Sequence, residues 1–123
     1  MITFFVPGNP IPRKAPTFGN GHAHHDDRQH GWKDTIRAYA MKYRPPKPYA
    51  GPVRMELTFY MKGNGKTGWH TQRPDFDNLC KITLDALTGV IFIDDSQVCE
   101  IQVAKLWDDV SEAGVEITAG KIK

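Results

Sequence analysis

The chain has only two cysteines, no internal repeat, no low-complexity tract, and no apolar run near the ~20 residues of a membrane-spanning helix. Two isolated cysteines exclude both a zinc ribbon, which needs paired ligands, and a disulfide-stapled secreted scaffold. Cys80 falls in a predicted helix and Cys99 in a predicted strand, so both are expected to be small apolar core residues in a reducing compartment. The opening residues Met1 to Pro7 lack the basic stretch and long apolar core of a secretory signal. With no membrane span either, the expected location is cytoplasmic. A strong charge imbalance is also missing: the formal net charge is +2, mildly basic, and does not by itself establish a nucleic-acid partner.

What is present fits one small globular domain. A chain of 123 residues matches the usual domain size, and 40% hydrophobic with 24% charged residues allows one modest core. The whole of 1–123 is therefore read as a single domain.

Residues 2–6 are β-branched and aromatic, and Pro7-Gly8-Asn9-Pro10 stops them, which predicts a first strand. From 7 to 31 no periodicity appears. That loop carries Arg13-Lys14 and the histidines His22, His24, His25 and His30. Over 32–43 the spacing of Trp32, Ile36, Tyr39, Ala40 and Tyr43 predicts an amphipathic helix, with Lys33, Arg37 and Arg44 off its apolar stripe. Val53, Met55, Leu57, Phe59 and Met61 alternate with polar neighbours and predict a strand. Residues 63–70 form a glycine- and lysine-bearing loop without the spacing of a Walker motif. A second helix runs from Asp77 or Asn78 to Thr88, closed by Gly89, with Leu79, Ile82, Thr83, Ala86 and Leu87 as its buried stripe. The short apolar run 90–93 leads into an Asp94-Asp95-Ser96 turn. Residues 97–107, with Cys99, Ile101 and Val103 on one face, and 115–119 are the last strands, expected to pair as an antiparallel hairpin. The order is β-α-β-α-β-β: an α+β domain with a mixed sheet and two main helices.

The chemistry concentrates in Arg73-Pro74-Asp75-Phe76-Asp77-Asn78, then Lys81, then Asp94-Asp95. Asp75 and Asp77 are two apart in an extended entry to a helix, which projects their carboxylates to one side. If the second acidic turn folds back to meet them, three or four carboxylates converge. Such a cluster needs a hard cation, and oxygen ligands with open water positions suit Mg²⁺ or Mn²⁺. Lys81, one turn beyond Asp77, would place an ammonium beside a scissile phosphate. A bland reading accounts for the same residues: Asp75 and Asp77 as caps favoured by the helix dipole, Lys81 as a helical charge partner, and Asp94-Asp95-Ser96 as a turn.

The stretch from Asp75 through Val98 resembles the signature of the RusA family of Holliday junction resolvases. Its features are Asp-x-Asp-Asn, a lysine one turn later, Leu-Asp-Ala-Leu, and Asp-Asp-Ser-Gln-Val. The opening from Ile2 to Pro10, with Arg13-Lys14, is similar to the family's first strand and basic turn. The resemblance implies a RusA-like fold and a homodimeric, Mg²⁺-dependent endonuclease (Mn²⁺ can substitute) that binds four-way DNA junctions and makes paired symmetric nicks in recombination and repair. It implies Asp75, Asp77 and Asp95 as metal ligands, with Asp94 as a further candidate, and Lys81 as the cation facing the transition state. Asp85 also matches a family position and reads as helix surface or a supporting residue. The histidine-rich loop finds no place in the family pattern; a solvated loop, zinc ligation and DNA contact are the readings its residues allow.

Arg13, Lys14, Lys33, Arg37, Lys62, Lys66 and Arg73 are the candidate phosphate contacts, each against the alternative of a solvated charge. Trp69 is a candidate to stack on an unpaired base, whereas Trp32 and Trp107 read as core or dimer packing. Phe4, Phe5 and Trp107 are large apolar residues that a small core need not cover, and so candidates for a dimer contact. Two other functions fit the residues: a non-catalytic DNA-architecture or metal-binding module, and a nuclease of flaps or other branched DNA.

Overall fold

The computed structural model describes residues 1–14, 17–19, 22–24, 27–63, 65–108 and 112–122, with main chain alone at 17–19, 22–24 and 27. Strand β1 spans Ile2–Pro7, and a small antiparallel pair follows, β2 (Thr17–Gly19) with β3 (His22–His24). Helix α1 is Asp27–Tyr43, β4 is Val53–Lys62 and α2 is Phe76–Leu87. A 3₁₀ turn at Asp95–Gln97 leads into β5 (Val98–Asp108), and β6 is Gly114–Lys121. The expected α+β domain with a mixed sheet and two main helices is what forms.

The four-stranded sheet has the order β1-β6-β4-β5. Strand β4 is antiparallel to β6 and parallel to β5, so the expected β5–β6 hairpin does not form. Burial explains the difference. Val115, Ile117 and Ala119 of β6 are fully buried, which places that strand in the interior of the sheet. Cys99 and Ile101 of β5 are exposed, as befits an edge. A parallel pair requires a long crossover, and α2 with its flanking loops supplies it. The expectation of a core Cys99 is corrected by the same fact, while Cys80 is half-buried.

The predicted alternation of β4 holds: Val53, Met55, Leu57, Phe59 and Met61 are buried under the helices, and Arg54, Glu56, Thr58 and Tyr60 lie on the outer face. The buried set of α2 is the predicted stripe, Leu79, Ile82, Thr83, Ala86 and Leu87. Trp32, Ile36 and Ala40 of α1 complete the core, but Tyr43 is largely exposed, stacked on Phe4. Helix α1 begins well before Trp32; its first residues are polar and carry no apolar period, so the sequence pattern does not reveal them. Gln29 there binds both main-chain polar groups of Lys14, tying the helix to the basic turn. Gly8 (φ 130°) lets the chain pass under Trp32, where a Cβ would stand 2.9 Å from the indole.

Helix α2 is closed as predicted by Gly89 (φ 83°), whose N–H reaches the Phe92 carbonyl at 2.7 Å. Arg37 adds a second closure, donating to the carbonyls of Ala86 and Thr88 at 3.4 and 3.2 Å. Among the described residues no helix is long and apolar enough to cross a membrane.

Phe59, fully buried in the central strand, should lose about 3–5 kcal/mol of stability as Phe59→Ala. Cys99→Ser at the exposed edge should stay within about 0.5 kcal/mol of wild type. Urea unfolding of both variants checks the pair; a large loss for Cys99→Ser would return that residue to the core.

Candidate active site

Asp75 is the N-cap residue of α2, with extended backbone (φ −72°, ψ 147°), yet its side chain makes no capping hydrogen bond. An N-cap aspartate normally uses its carboxylate on the first-turn amides, a contact worth about 1 kcal/mol. Here the carboxylate is left exposed, and so is that of Asp77 in the first turn. Lys81 one turn on is exposed and forms no ion pair with Asp77 among the described residues. The capping and charge-partner roles that would explain these three side chains structurally are not taken up.

The segment leading to Asp75 is held to the far half of β5. The His70 N–H bonds the Lys105 carbonyl at 3.0 Å, and the Trp107 N–H bonds that of Gly68 at 2.8 Å. Lys105, which the sequence did not single out, donates its ammonium to the carbonyls of Gln72 and Pro74, both at 2.6 Å. These are short, charge-assisted bonds. They fix the chain at Gln72 and Pro74, on either side of Arg73, just before Asp75; the Arg73–Pro74 peptide is cis.

The second acidic turn is built differently. Asp94 accepts from the Ser96 N–H at 3.1 Å and caps the 3₁₀ turn in a capping box with Gln97. Hydrogen bonding from Ser96, its side chain first and then its main chain, holds the Asp94 carboxyl below the usual carboxylate range. Gln97 binds four ways: its side-chain oxygen accepts from Ile93 and Asp94, and its amide donates to the carbonyls of Tyr49 and Gly51, all at 2.8–2.9 Å. Asp95, exposed, follows on this rigid turn. Asp94 thus shapes the turn, and Asp95 is the carboxylate left free.

The two turns do not meet within one chain. Asp95 precedes the start of β5 at Val98, whereas the Asp75 segment is pinned at Lys105, seven residues along that strand. At ~3.3 Å per residue the separation is on the order of 20 Å, about the length of α2. Among the described residues no three His, Cys, Asp or Glu side chains form a group fit to hold a metal. Asp75 and Asp77 are thus the oxygen donors at this end of α2, and among the described residues no third carboxylate of the same protomer joins them.

Beside Asp75 lies a cleft of about 600 Å³. Of the predicted phosphate contacts, Arg13, Lys14, Lys62 and Arg73 line it, together with His70, Asn78 and Trp107. Arg13 is fixed there by its N–H on the Asn78 carbonyl (3.0 Å) and by Asp85, 3.7 Å from its guanidinium. Lys33, Lys66 and Trp69 stand outside the cleft lining, and Arg37 is engaged at the end of α2. Trp69 is 70% exposed. Lys66 lies 4.8 Å over the ring of Trp107, which in turn meets His70 at 4.2 Å.

His70 is 6% exposed, and its buried Nδ1 has no hydrogen-bond partner among the described residues. Such an orphaned buried atom costs about 1–3 kcal/mol. Burial first, then the nearby Lys105 charge, and more weakly that of Lys66, push the imidazole below its ordinary pKa, against a smaller opposing pull from its own main chain. The ring is neutral at physiological pH. Burial, then the Asp77 charge, pushes the Cys80 thiol up, so it is no nucleophile. His25 and the side chains of His22 and His24 lie outside the described residues; His30 is an exposed residue of α1.

A family model described as "Endodeoxyribonuclease RusA" matches residues 7–118. The chain is similar to "Uncharacterized protein YqaN" of Bacillus subtilis (strain 168), 31% identical over 134 aligned positions covering 94% of this chain and 93% of that one. It is also 31% identical over 90 positions to "Crossover junction endodeoxyribonuclease rusA" of Lactococcus phage r1t, covering 68% of this chain and 69% of the phage protein.

Lys105 is expected to act through the loop it holds. In Lys105→Ala the amides of His70 and Leu79, bonded to the carbonyls of Lys105 and Asp75, should exchange with solvent about tenfold faster or more, while those of central β4 keep their protection. Hydrogen exchange followed residue by residue reads this; unchanged rates at 70 and 79 would show that the loop stands without the lysine.

Proposed function

The chain belongs to the RusA endodeoxyribonuclease family, and on that premise we propose that it is a Mg²⁺-dependent endonuclease that resolves four-way DNA junctions by paired nicks. The observation that carries the reading is Asp75: a carboxylate placed at a helix N-cap, not used for capping, at the mouth of a cationic cleft. Arg13, Lys14, Lys62 and Arg73 would hold the phosphates, and Lys81 would face the charge that develops in the transition state. Asp75 and Asp77 would hold the ion from this chain. Bound there, Mg²⁺, or Mn²⁺ in its place, supplies Lewis acidity to the phosphate and acidifies the attacking water.

The working unit in this proposal is a homodimer. Asp95 cannot join Asp75 within one protomer, so a third carboxylate must come from a second copy. Helix α2 and the inner face of β5 carry the two acidic turns at opposite ends. A two-fold axis crossing that face near its middle carries the partner's Asp95 toward Asp75. Phe76, Ile93 and Ile101, exposed by 58%, 63% and 40%, give the face apolar surface to bury. A dimer also presents two equivalent sites to a junction of two-fold symmetry.

Wild-type protein should nick a synthetic four-way junction with Mg²⁺ and not with EDTA, and a matched flap should be cut more slowly. Asp75→Asn, Asp77→Asn and Asp95→Asn should each abolish nicking while retaining junction binding. Lys81→Ala should lower the single-turnover rate ~10²-fold. Mixing the inactive Asp75→Asn and Asp95→Asn proteins should restore single nicks, because the mixed dimer keeps one intact site. Failure of the mixture to cut, with dimers shown by sedimentation equilibrium, would place each site within a single chain. Full activity in two of the three aspartate variants would dismiss the metal-site assignment.

Junction affinity should fall linearly in log salt, with a slope set by several phosphate contacts. A salt-independent affinity would speak against DNA as the ligand.

A further inference from the structure

The cleft beside Asp75 is too small for a duplex and more varied in chemistry than a phosphate needs. Its volume, about 600 Å³, falls in the ~300–1,000 Å³ range of small-ligand pockets. Its lining combines the cations Arg13, Lys14, Lys62 and Arg73 with the indole of Trp107 and the edge of the buried Met61. It also includes His70, whose Nδ1 is without a partner among the described residues. Phosphate oxygens are served by the cations alone and have no use for an indole, a thioether and a neutral imidazole.

We propose that this cleft receives one extrahelical nucleotide of the branched DNA, its phosphate on Arg13, Lys14 and Arg73 and its base against Trp107, with the base edge bonded to His70. This deepens the reading of the chain as a nuclease of branched DNA and rests on it. A base at the branch point loses stacking on one side, so its extrusion costs less there than within a duplex. Aromatic surface takes any base, whereas a hydrogen bond to its edge discriminates. A neutral imidazole offers one donor and one acceptor, which suits a base edge. Nδ1 is shielded from water as the cleft stands, so the entering base must shift His70 or the Trp107 ring packed against it. Because Asp75 lines the same cleft, the nucleotide held there neighbours the scissile phosphate, and its identity would set where the strand is cut.

The test uses wild-type protein in EDTA and a four-way junction carrying an abasic residue at each position near the branch in turn. At one position per binding site, base removal should weaken binding about tenfold. At that position alone, 2-aminopurine fluorescence should change at least about twofold as the base leaves its stack. With Mg²⁺, wild type should cut junctions differing at that position at different rates, and His70→Phe should level those rates while binding the abasic junction as wild type does. Junction binding with no sensitive position overturns this inference and leaves the nuclease reading in place. Rates that stay as uneven in His70→Phe as in wild type remove His70 from base recognition. No preference for the junction over linear duplex overturns both readings.

Discussion

The parallel pairing of β4 with β5 governs the rest of the molecule. Strand β4 buries Val53, Met55, Leu57, Phe59 and Met61 beneath the helices and is paired on both sides, so it cannot shift register without exposing that row. A parallel neighbour forces the chain to return to the start of the sheet before β5 begins, and α2 makes that return. The free carboxylates Asp75 and Asp77 therefore open the helix at one end of the sheet, and Asp95 follows it at the other. The separation of the acidic turns is a product of topology and not of local flexibility.

The same constraint explains how the Asp75 end is built. With β6 on the far side of β4, β5 is left at the edge, and the segment at Gly68–His70 lies against its distal half. Lys105 projects from that strand to the carbonyls just before Asp75, so sheet edge and helix start are locked together. Arg13, tied to Asn78 and Asp85, links the first basic turn to the same helix. The cleft forms where these three pieces of chain converge.

Most of the elements were legible in the sequence because amphipathic period is a local property. The α2 stripe and the β4 alternation are found as read, and so is the closure at Gly89. Strand order was not legible: β5 and β6 both alternate, and only the competition for the sheet interior, won by Val115, Ile117 and Ala119, separates β4–β6 pairing from a terminal hairpin. Asp75, Asp77, Lys81 and Asp95 stood out because a spacing with several fixed positions carries information. Lys105, His70 and Trp107 did not, since nothing near them in sequence reveals which loop they meet. Arg37 looked like a surface cation, yet it closes α2, a contact made across 49 positions of sequence. Cys99 looked buried because alternation identifies a face of a strand, not whether that face is covered.

Gln97 gives the distal turn a property that the Asp75 segment obtains by other means. Its four hydrogen bonds join the residues before the 3₁₀ turn to the chain entering β4, with no dependence on a bound ligand. The main chain at Asp95 is consequently set as the domain folds. A carboxylate on a loose loop surrenders conformational entropy each time an ion or a phosphate arrives, and that loss slows and weakens every encounter. For Asp95 in the proposed role, the main-chain share of that loss is incurred once, during folding.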